Sequence, residues 1–429
     1  MRVHTRSDRP TQTRSRIVQA HAHIAELTGV DLPLRLWDGE HVGPADAGFV
    51  LVLSDERALR ALLWPPSDVT SGEAYVYGWI DIVGDAVAAM ATGERLAAAF
   101  PRSSRARLGL AADVLRLPRP PRHPTDRRAH LRGRLHSLER DRAAIAFHYD
   151  LPEQFYETFL DERLVYSCAY FAPDDDNLAR AQRRKLDLVC RKLRLAPGQR
   201  LLDIGCGWGS LLIYAVEHYG VDAMGVTLSH TQAEAGARMI SERGLAHRAR
   251  IELRDYREVD GHYDAVASVG MAEHVGPDNL PAYSATARRL LRPGGPFLCH
   301  SIVTGDAQHV RRGTEDTFLS AYVFPDGGLV PPWRLILALQ QGGFEVVDVE
   351  QLRPHYAKTL RLWISNLEAH HDEAIMATSE VDYRIWRAYM GAAAHSFDTG
   401  ALGVVQVLSR VPGGQQEWPR GRAWMLTEQ

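Results

Sequence analysis

A short glycine-rich segment, Leu201-Leu-Asp-Ile-Gly-Cys-Gly-Trp-Gly209, constrains the fold of this chain most strongly. An apolar run ends in an acidic residue and passes into a loop with glycines at positions 205, 207 and 209. Such a loop is typical of the end of the first strand in a doubly wound sheet that binds a nucleotide-type cofactor. Glycines let the backbone turn tightly and approach a ligand that a Cβ atom would exclude.

The spacing of these glycines separates the cofactor classes. A dinucleotide fingerprint places its third glycine three residues after the second. Here Gly209 comes two residues after Gly207, with Trp208 between them, and no Lys-Ser or Lys-Thr pair follows to make a P-loop. The spacing therefore favours an amino-acid-bearing nucleoside, S-adenosylmethionine, over a ligand held by its phosphates.

The alternation of predicted strands and helices indicates an α/β fold. Strands are predicted at 200–204, 221–226, 263–269, 296–302 and 344–349, and helices at 211–219, 232–243 and 281–291. This alternation is typical of βαβ units in a mostly parallel sheet with helices on both faces. The cofactor should then bind beyond the carboxyl ends of the strands, where the glycine loop lies.

The length of 429 residues exceeds one typical domain, so two are expected. Residues 15–115 are predicted to form a smaller α/β domain, with strands at 32–37, 48–53 and 74–83 and a helix after Ser54. An Arg- and Pro-rich linker is predicted at 116–140, with helical patterning from 127 to 147. The catalytic domain is predicted at 141–429, and residues 1–14 are expected to be disordered or loose.

Positive charge is concentrated in one segment although the net charge is only −3. Residues 101–142 contain twelve arginines and four acidic residues. The segment is either a solvated linker or a patch for anionic phospholipid headgroups, and we favour the lipid patch because of the chemistry argued below. Because aromatic interleaving is absent, we expect no nucleic-acid partner.

The chain shows no pattern of a secreted or membrane-spanning protein. The N-terminus lacks the apolar core of a signal peptide, and no stretch approaches the roughly 18 apolar residues of a membrane span. The four cysteines include no Cys-x-x-Cys pair, so zinc and disulfide sites are not expected. We expect a cytoplasmic protein associated peripherally with the inner face of the membrane.

Two further segments at strand ends are candidates for holding the nucleoside. Thr227, Ser229 and Gln232 can bind ribose hydroxyls through neutral hydrogen bonds, while Ser229 suits a helix cap equally well. Asp255 and Tyr256 are candidates for the adenine amine and ring, with an ordinary loop acid as the alternative.

Two more segments carry residues suited to chemistry. The run Tyr166-Ser-Cys-Ala-Tyr-Phe171 is small and aromatic, and aromatic faces stabilise cations, although core packing is the commoner role. Glu273 and His274 follow a predicted strand, where a substrate would lie. A metal site built from Glu273, His274 and His300 would lack ligand spacing such as His-x-x-x-His, and we expect no metal.

Six motifs follow one another in a specific order and spacing: His148-Tyr-Asp150, Tyr166-Ser-Cys-Ala-Tyr-Phe171, Asp203-Ile-Gly-Cys-Gly-Trp-Gly209, Val226-Thr-Leu-Ser229, Gly270-Met-Ala-Glu-His-Val-Gly276 and Tyr322-Val-Phe-Pro-Asp-Gly-Gly328. Through them, residues 140–412 resemble the cyclopropane-fatty-acyl-phospholipid synthase family. That family includes mycolic acid cyclopropane synthases and methyltransferases that make 10-methylene and 10-methyl fatty acids. Residues 15–115 resemble the N-terminal domain of its longer bacterial members. The resemblance implies a class I (Rossmann-like) methyltransferase fold with a smaller N-terminal α/β domain.

The resemblance also implies a reaction and a site. One carbon would pass from S-adenosylmethionine to a cis double bond in a phospholipid acyl chain through a carbocation, which requires close alignment. A bound bicarbonate would serve as base, held by backbone groups of Cys168 and Ile302 and by the side chains of Glu273, His300 and Tyr356. We expect the cofactor to be bound by Tyr166, Ser167, Asp203, Gly205, Gly207, Trp208, Gly209, Thr227, Ser229, Gln232, Asp255 and Tyr256.

The product and the partners stay open at this level. Loss of a proton from the added methyl group closes a cyclopropane, whereas a prior hydride shift gives a methylene that a separate reductase would convert to a methyl branch; we favour the branched product. A non-catalytic lipid-binding protein and a small-molecule methyltransferase are the alternatives. Expected partners are a phospholipid with an unsaturated acyl chain, an anionic membrane surface, a reductase and, in a homo-oligomer, further copies of the chain.

Overall fold

The computed structural model describes residues 8–99, 104–120, 127–306, 308–312, 315–414 and 418–426. Its helices are α1 (Asp8–Thr28), α2 (Ala58–Leu63), α3 (Asp68–Val76), α4 (Ala86–Ala99), α5 (Ser104–Leu115), α6 (Leu138–Tyr149), α7 (Glu153–Glu157), α8 (Leu178–Lys192), α9 (Ser210–Tyr219), α10 (His230–Glu242), α11 (Ala272–Val275), α12 (Leu280–Leu290), α13 (Phe318–Tyr322), α14 (Pro332–Gln341), α15 (Arg353–Ala369), α16 (His371–Ala377), α17 (Glu380–Thr399) and α18 (Ala423–Leu426). Its strands are β1 (Leu34–Arg35), β2 (His41–Val42), β3 (Phe49–Leu53), β4 (Ile80–Gly84), β5 (Arg200–Ile204), β6 (Asp222–Thr227), β7 (Ala249–Leu253), β8 (Ala265–Val269), β9 (Pro296–Thr304), β10 (Glu345–Gln351) and β11 (Leu402–Arg410).

The chain divides into two compact units, and the first is discontinuous in sequence. It comprises the described residues up to Arg128 together with Asp316–Val323 and Ser379–His395; the second holds the rest. The two later segments fall inside the range 141–429 that was assigned to the catalytic domain from sequence. Within the first unit, buried Arg387 of α17 donates hydrogen bonds to the Tyr75 hydroxyl and to the carbonyls of Ile82 and Gly84, which attaches this helix to β4.

The first unit contains a four-stranded sheet in the order β2-β1-β3-β4. The predicted strand at 74–83 is confirmed at 80–83, which belong to β4, and is wrong before them, where the chain forms the end of α3 and a turn. The side chain of Ser67 accepts a hydrogen bond from the Thr70 amide and so caps α3, whose residues Ala74, Tyr75 and Val76 are buried. The apolar residues of 74–83 alternate as in a strand, but the first of them belong to the helix that begins after the Ser67 cap.

The second unit is built on a seven-stranded sheet in the order β10-β11-β9-β8-β5-β6-β7. All neighbouring strands from β9 to β7 are parallel, while β11 runs antiparallel to both β9 and β10. Leu202 and Ile204 belong to one buried cluster and Leu201 to another, as expected when alternate residues of a strand face helices on both sides. The predicted doubly wound class I fold is confirmed.

Three strands, β2, β7 and β11, were not anticipated from sequence, and α1 covers residues 8–14, which were expected to be disordered or loose. Strand β7 has charged residues between its apolar ones at the open edge of the sheet, and β11 lies far from the other motifs along the chain. The helix expected from residue 127 begins at Leu138, because Ser137 caps it through the Arg140 amide. Within the described part of the chain, no helix combines the length and apolarity needed to span a membrane.

Candidate active site

The glycine loop takes the shape that its sequence predicts. Gly205, Gly207 and Gly209 have φ angles of 79°, 55° and 81°, values that favour glycine, and Gly209 leads directly into α9. A Cβ atom at Gly205 would lie 2.9 Å from the Met271 side chain, whereas one at Gly207 would meet no protein atom within 4 Å. Gly207 therefore faces open space that a ligand can occupy.

That space is a cavity of about 1350 Å³, counting its open mouth, at the carboxyl ends of β5, β6 and β8. The structure brings together at this cavity most of the cofactor residues expected from sequence. They are Tyr166, Ser167, Asp203, Gly205, Gly207, Trp208, Thr227, Gln232, Asp255 and Tyr256.

Two predicted cofactor residues do not line this cavity. The Ser229 hydroxyl accepts a hydrogen bond from the Gln232 amide and donates one to Asp150 at 2.6 Å, and the residue is fully buried. The helix-cap alternative thus describes Ser229. Gly209 turns the chain into α9, and a Cβ atom there would lie 2.7 Å from Ile251.

A buried acid and a buried base lie at one end of the cavity. Burial raises the pKa of Asp203 to about 7, with Lys185 opposing this, and Asp203 Oδ1 has no hydrogen-bond partner among the described residues. Burial likewise lowers the pKa of Lys185 to about 8, and its Nζ donates to Ser167 Oγ at 2.6 Å. A carboxyl group and an ammonium group that line the same cavity suit the ammonium and carboxylate of an amino acid, so these residues fit S-adenosylmethionine.

Lys185 was not among the sequence candidates. The chain has three lysines among its 50 basic residues. A lysine in a chain that otherwise uses arginine is a signal that sequence inspection could have found.

At the nucleoside end of the cavity, the Thr227 hydroxyl donates a hydrogen bond to Gln232 Oε1 at 2.8 Å, and Arg257 donates to both carboxylate oxygens of Asp255. Arg257, also missed, therefore fixes the orientation of the Asp255 side chain.

Glu273 is a buried acid and a member of the predicted bicarbonate set. Its Oε1 accepts a hydrogen bond from the Ile302 amide at 2.6 Å, and Oε2 has no partner in the described part of the structure. Burial raises the pKa of Glu273 to about 7, opposed by the bond from Ile302. The carboxyl group can therefore hold or release a proton near neutral pH. Both backbone groups of Ile302 have partners: its amide donates to Glu273, and its carbonyl accepts from the Ser301 hydroxyl at 3.0 Å.

The remaining members of the predicted bicarbonate set lie behind the cavity wall. His300 is buried, two residues before Ile302 on β9, and its carbonyl accepts from the Gly270 amide at 2.8 Å. Tyr356 is buried on α15 with its ring 6.0 Å from that of Trp363, which itself lies 5.2 Å from the Tyr166 ring. None of the five predicted base-site residues lines the cavity that the cofactor residues form.

Cys168 is the fifth member of the predicted bicarbonate set. The residue is fully buried, and its thiol donates to the Ala169 carbonyl and lies 3.8 Å from the Leu352 carbonyl, at the start of α15. Burial raises the pKa of the Cys168 thiol far above its usual range, so this side chain stays neutral. Its backbone is the part available to a ligand, as the sequence resemblance implies.

Aromatic rings and a neutral histidine form the wall of the cavity. Tyr149 and Tyr166 both line it, with ring centroids 6.1 Å apart. Their neighbour His274 is hydrogen-bonded to the Tyr149 hydroxyl at 3.2 Å, and burial lowers the pKa of His274 to about 4. Across the described residues, no group of three His, Cys, Asp or Glu side chains is arranged to hold a metal ion.

The fold, the glycine loop and the charged side chains of Asp203 and Lys185 in the cavity define a class I S-adenosylmethionine-dependent methyltransferase. A family model described as mycolic acid cyclopropane synthetase matches residues 136–407. The chain belongs to this family, and the resemblance noted from its motifs is confirmed.

Full-length relatives and solved structures agree with this assignment. A probable fatty acid methyltransferase of Pseudomonas putida is 37% identical over 392 residues, which cover 90% of this chain and 94% of the relative. A probable fatty acid methyltransferase of Mycobacterium tuberculosis, Rv3720, is 36% identical over 409 residues, covering 92% and 94%. The mycolic acid cyclopropane synthase CmaA1 complexed with SAH and CTAB superposes with a TM-score of 0.59 at 34% identity, over 63% of this chain and 98% of that one.

Proposed function

We propose that the chain transfers a one-carbon unit from S-adenosylmethionine to the cis double bond of an unsaturated acyl chain in a phospholipid. Modification of fatty acyl chains is the shared activity named for its full-length relatives. The carbon–sulfur bond breaks as a carbon–carbon bond forms, and the lipid gains CH₂ once the resulting carbocation loses a proton from the added methyl group. Direct loss of this proton closes a cyclopropane, whereas loss after a hydride shift to the cationic carbon leaves a methylene group. The single observation that carries this proposal is the cofactor cavity walled by Tyr149 and Tyr166.

The chain's residues contribute alignment and charge stabilisation. S-adenosylmethionine supplies an electrophilic methyl group when bound. Lys185, Asp203 and the glycine loop would hold the amino-acid end of the cofactor and so align its methyl group with the substrate. The rings of Tyr149 and Tyr166 line the cavity and would stabilise positive charge that develops there, at about 0.5 to 2 kcal/mol for each ring. Neutral His274 adds no opposing cation.

A buried proton acceptor must complete the reaction. Glu273 suits this region because its pKa of about 7 allows it to take or share a proton near neutral pH. A bicarbonate ion would be held by Glu273, His300 and Tyr356 with the backbone of Cys168 and Ile302. The unpartnered Oε2 of Glu273 and the burial of Cys168, Glu273, His300 and Tyr356 support a small polar ligand there.

The names of the relatives favour a branched product over a ring. The two relatives that match over 90% and 92% of this chain are named fatty acid methyltransferases. A tuberculostearic acid methyltransferase of Mycobacterium tuberculosis is 39% identical over 281 residues. We therefore propose a methylene product that a separate reductase converts to a methyl branch. Cyclopropane formation is the second candidate, because solved structures that resemble this one in fold include cyclopropane synthases.

Membrane association is also proposed, through a smaller basic surface than the sequence suggested. Several arginines of the segment 101–142 form ion pairs that neutralise their charge: Arg116 with Asp113, Arg127 with Asp382, Arg128 with Glu73 and Arg140 with Asp326. Arg132 and Arg134 are exposed. These two are the residues of the second unit that we expect to contact anionic headgroups.

The test is mass spectrometry of phospholipid vesicles with cis-unsaturated chains after incubation with purified protein and S-adenosylmethionine. A gain of one CH₂ supports the reaction, and proton NMR of the product separates a vinylidene group from a cyclopropane. Binding of the cofactor without a mass gain on a panel of unsaturated phospholipids would refute the proposal in favour of lipid binding alone. Methylation of soluble amines in the same assay would favour a small-molecule methyltransferase instead.

A further inference from the structure

A row of buried polar side chains crosses three neighbouring strands behind the active site. In the sheet register Glu350 of β10 is opposite Gln406 of β11, and Gln406 is opposite His300 of β9. Lys192, at the end of α8, reaches this row from outside the sheet. Gln406, His300 and Lys192 are 0%, 2% and 1% exposed, so water cannot satisfy their polar groups.

The contacts within this row fix the orientation of the Gln406 amide. Lys192 Nζ lies 2.8 Å from Gln406 Oε1 and also donates to Glu350 at 2.5 Å. An ammonium group has donors only, so it must face the oxygen of the amide and not its nitrogen. The amide nitrogen consequently faces His300, where Nε2 of Gln406 lies 3.1 Å from Nδ1 of the ring.

This orientation determines where the histidine carries its proton. An amide nitrogen can only donate, so Nδ1 of His300 must accept and cannot bear hydrogen. Burial lowers the pKa of His300 well below its usual range, and the charges of Lys185 and Lys192 lower it further, so the ring is neutral. A neutral ring without hydrogen on Nδ1 carries it on Nε2.

We propose that Gln406, oriented by Lys192, is a positioning residue that holds His300 in the Nε2-protonated neutral tautomer. His300 then serves the active site as a hydrogen-bond donor and not as a base. The part of His300 in turnover rests on the proposed function, whereas the inferred tautomer of its ring does not depend on that function. The proton released in the reaction must accordingly go to another group, such as Glu273 or an anion held beside it.

Nitrogen-detected NMR of the full-length protein labelled with ¹⁵N-histidine tests the tautomer directly, with His300→Gln used to assign the signal. We expect an unprotonated Nδ1 and a protonated Nε2 in the wild type. Gln406→Glu places an acceptor against Nδ1 and should move a proton there. Ser409→Ala serves as the control, because it removes a different buried polar group from the same strand. We expect this variant to give the wild-type histidine signals.

A test of the role of Lys192 requires a variant that leaves no buried charge without its opposite charge. In Lys192→Met/Glu350→Gln the ammonium and its partner carboxylate are both replaced by neutral groups of similar size. The amide of Gln406 can then rotate, and we expect signals of both His300 tautomers. A single wild-type tautomer in this variant would overturn the orienting role of Lys192. A wild-type protein with hydrogen on Nδ1, alone or in an imidazolium, would overturn the whole inference.

Turnover gives the second measurement. Gln406→Glu should lower CH₂ addition about 10- to 100-fold, the range seen for partners that orient a functional histidine, while affinity for SAH stays at the wild-type value. Unchanged turnover together with an altered tautomer would contradict a role in the reaction. If the wild type itself adds no CH₂ to any lipid, the proposed function fails and the tautomer result still decides the inference.

Discussion

Replacing Glu273 with glutamine should make the protein less active and, above neutral pH, more stable. Folding raises the pKa of this carboxyl group from 4.5 to about 7, chiefly by burial. Between these two pKa values the folded state binds more protons than the unfolded state, so the unfolding free energy falls as pH rises. Ionisation of the buried carboxyl group therefore lowers the unfolding free energy by about 3 kcal/mol above pH 7, and this penalty vanishes below pH 4.5.

The Glu273→Gln variant removes this penalty but keeps an amide oxygen that can accept from the Ile302 amide. Thermal unfolding of wild type and variant should therefore give similar midpoints at pH 4.5 and a variant midpoint higher by about 3 to 5 °C at pH 8. Glu162→Gln, at an exposed carboxyl group, should show no such pH-dependent difference. Using the difference between variant and wild type cancels the titration of Asp203, which is common to both.

Activity supplies the other half of this prediction. Turnover of the variant should fall at least about 100-fold, because the lost group takes or shares the reaction's proton, while SAH affinity is retained. A midpoint difference that is equal at pH 4.5 and pH 8 would refute the argument from burial. A variant that loses cofactor affinity would show that Glu273 supports the structure of the cofactor site instead.

The remaining predictions concern the cofactor loop, the Tyr356 hydroxyl and the membrane surface. Gly207→Val should abolish SAH binding in calorimetry, because its side chain would fill the ligand's space and its φ of 55° disfavours a β-branched residue; unchanged affinity would refute the loop assignment. Tyr356→Phe should lower turnover strongly with SAH binding intact, and normal turnover would exclude its hydroxyl from the reaction. Arg132→Glu with Arg134→Glu should weaken sedimentation with anionic vesicles, most at low salt, whereas Arg183→Glu, at another exposed arginine, should not; equal binding of all variants would show that this segment is a linker only.

Several elements could be predicted because their determinants are contiguous in sequence. Strand β5 begins and ends at the predicted residues, and the loop after it adopts the positive φ angles that its glycines permit. The cofactor candidates come from loops at the carboxyl ends of parallel strands, which a doubly wound sheet brings to one edge. Once the βαβ pattern is recognised, the position of these loops follows without further information.

Other features depend on contacts that the linear pattern does not contain. The stretch 74–83 alternates like a strand, yet the cap at Ser67 makes its first part helical. Strand β11 lies between β9 and β10 although it follows both in the chain, and this insertion places Gln406 against His300, 106 residues away. No local signal indicates such a pairing.

The sequence by itself determined the fold class, the cofactor and the family, because glycine conformations, strand–helix alternation and motif spacing act over short distances along the chain. Only the tertiary structure decided which acids and bases are buried together. Lys185 beside Ser167, Glu273 on the Ile302 amide and Lys192 on Gln406 join residues 18, 29 and 214 positions apart. The protonation states that the chemistry requires arise from burial, and burial is a property of the packed chain.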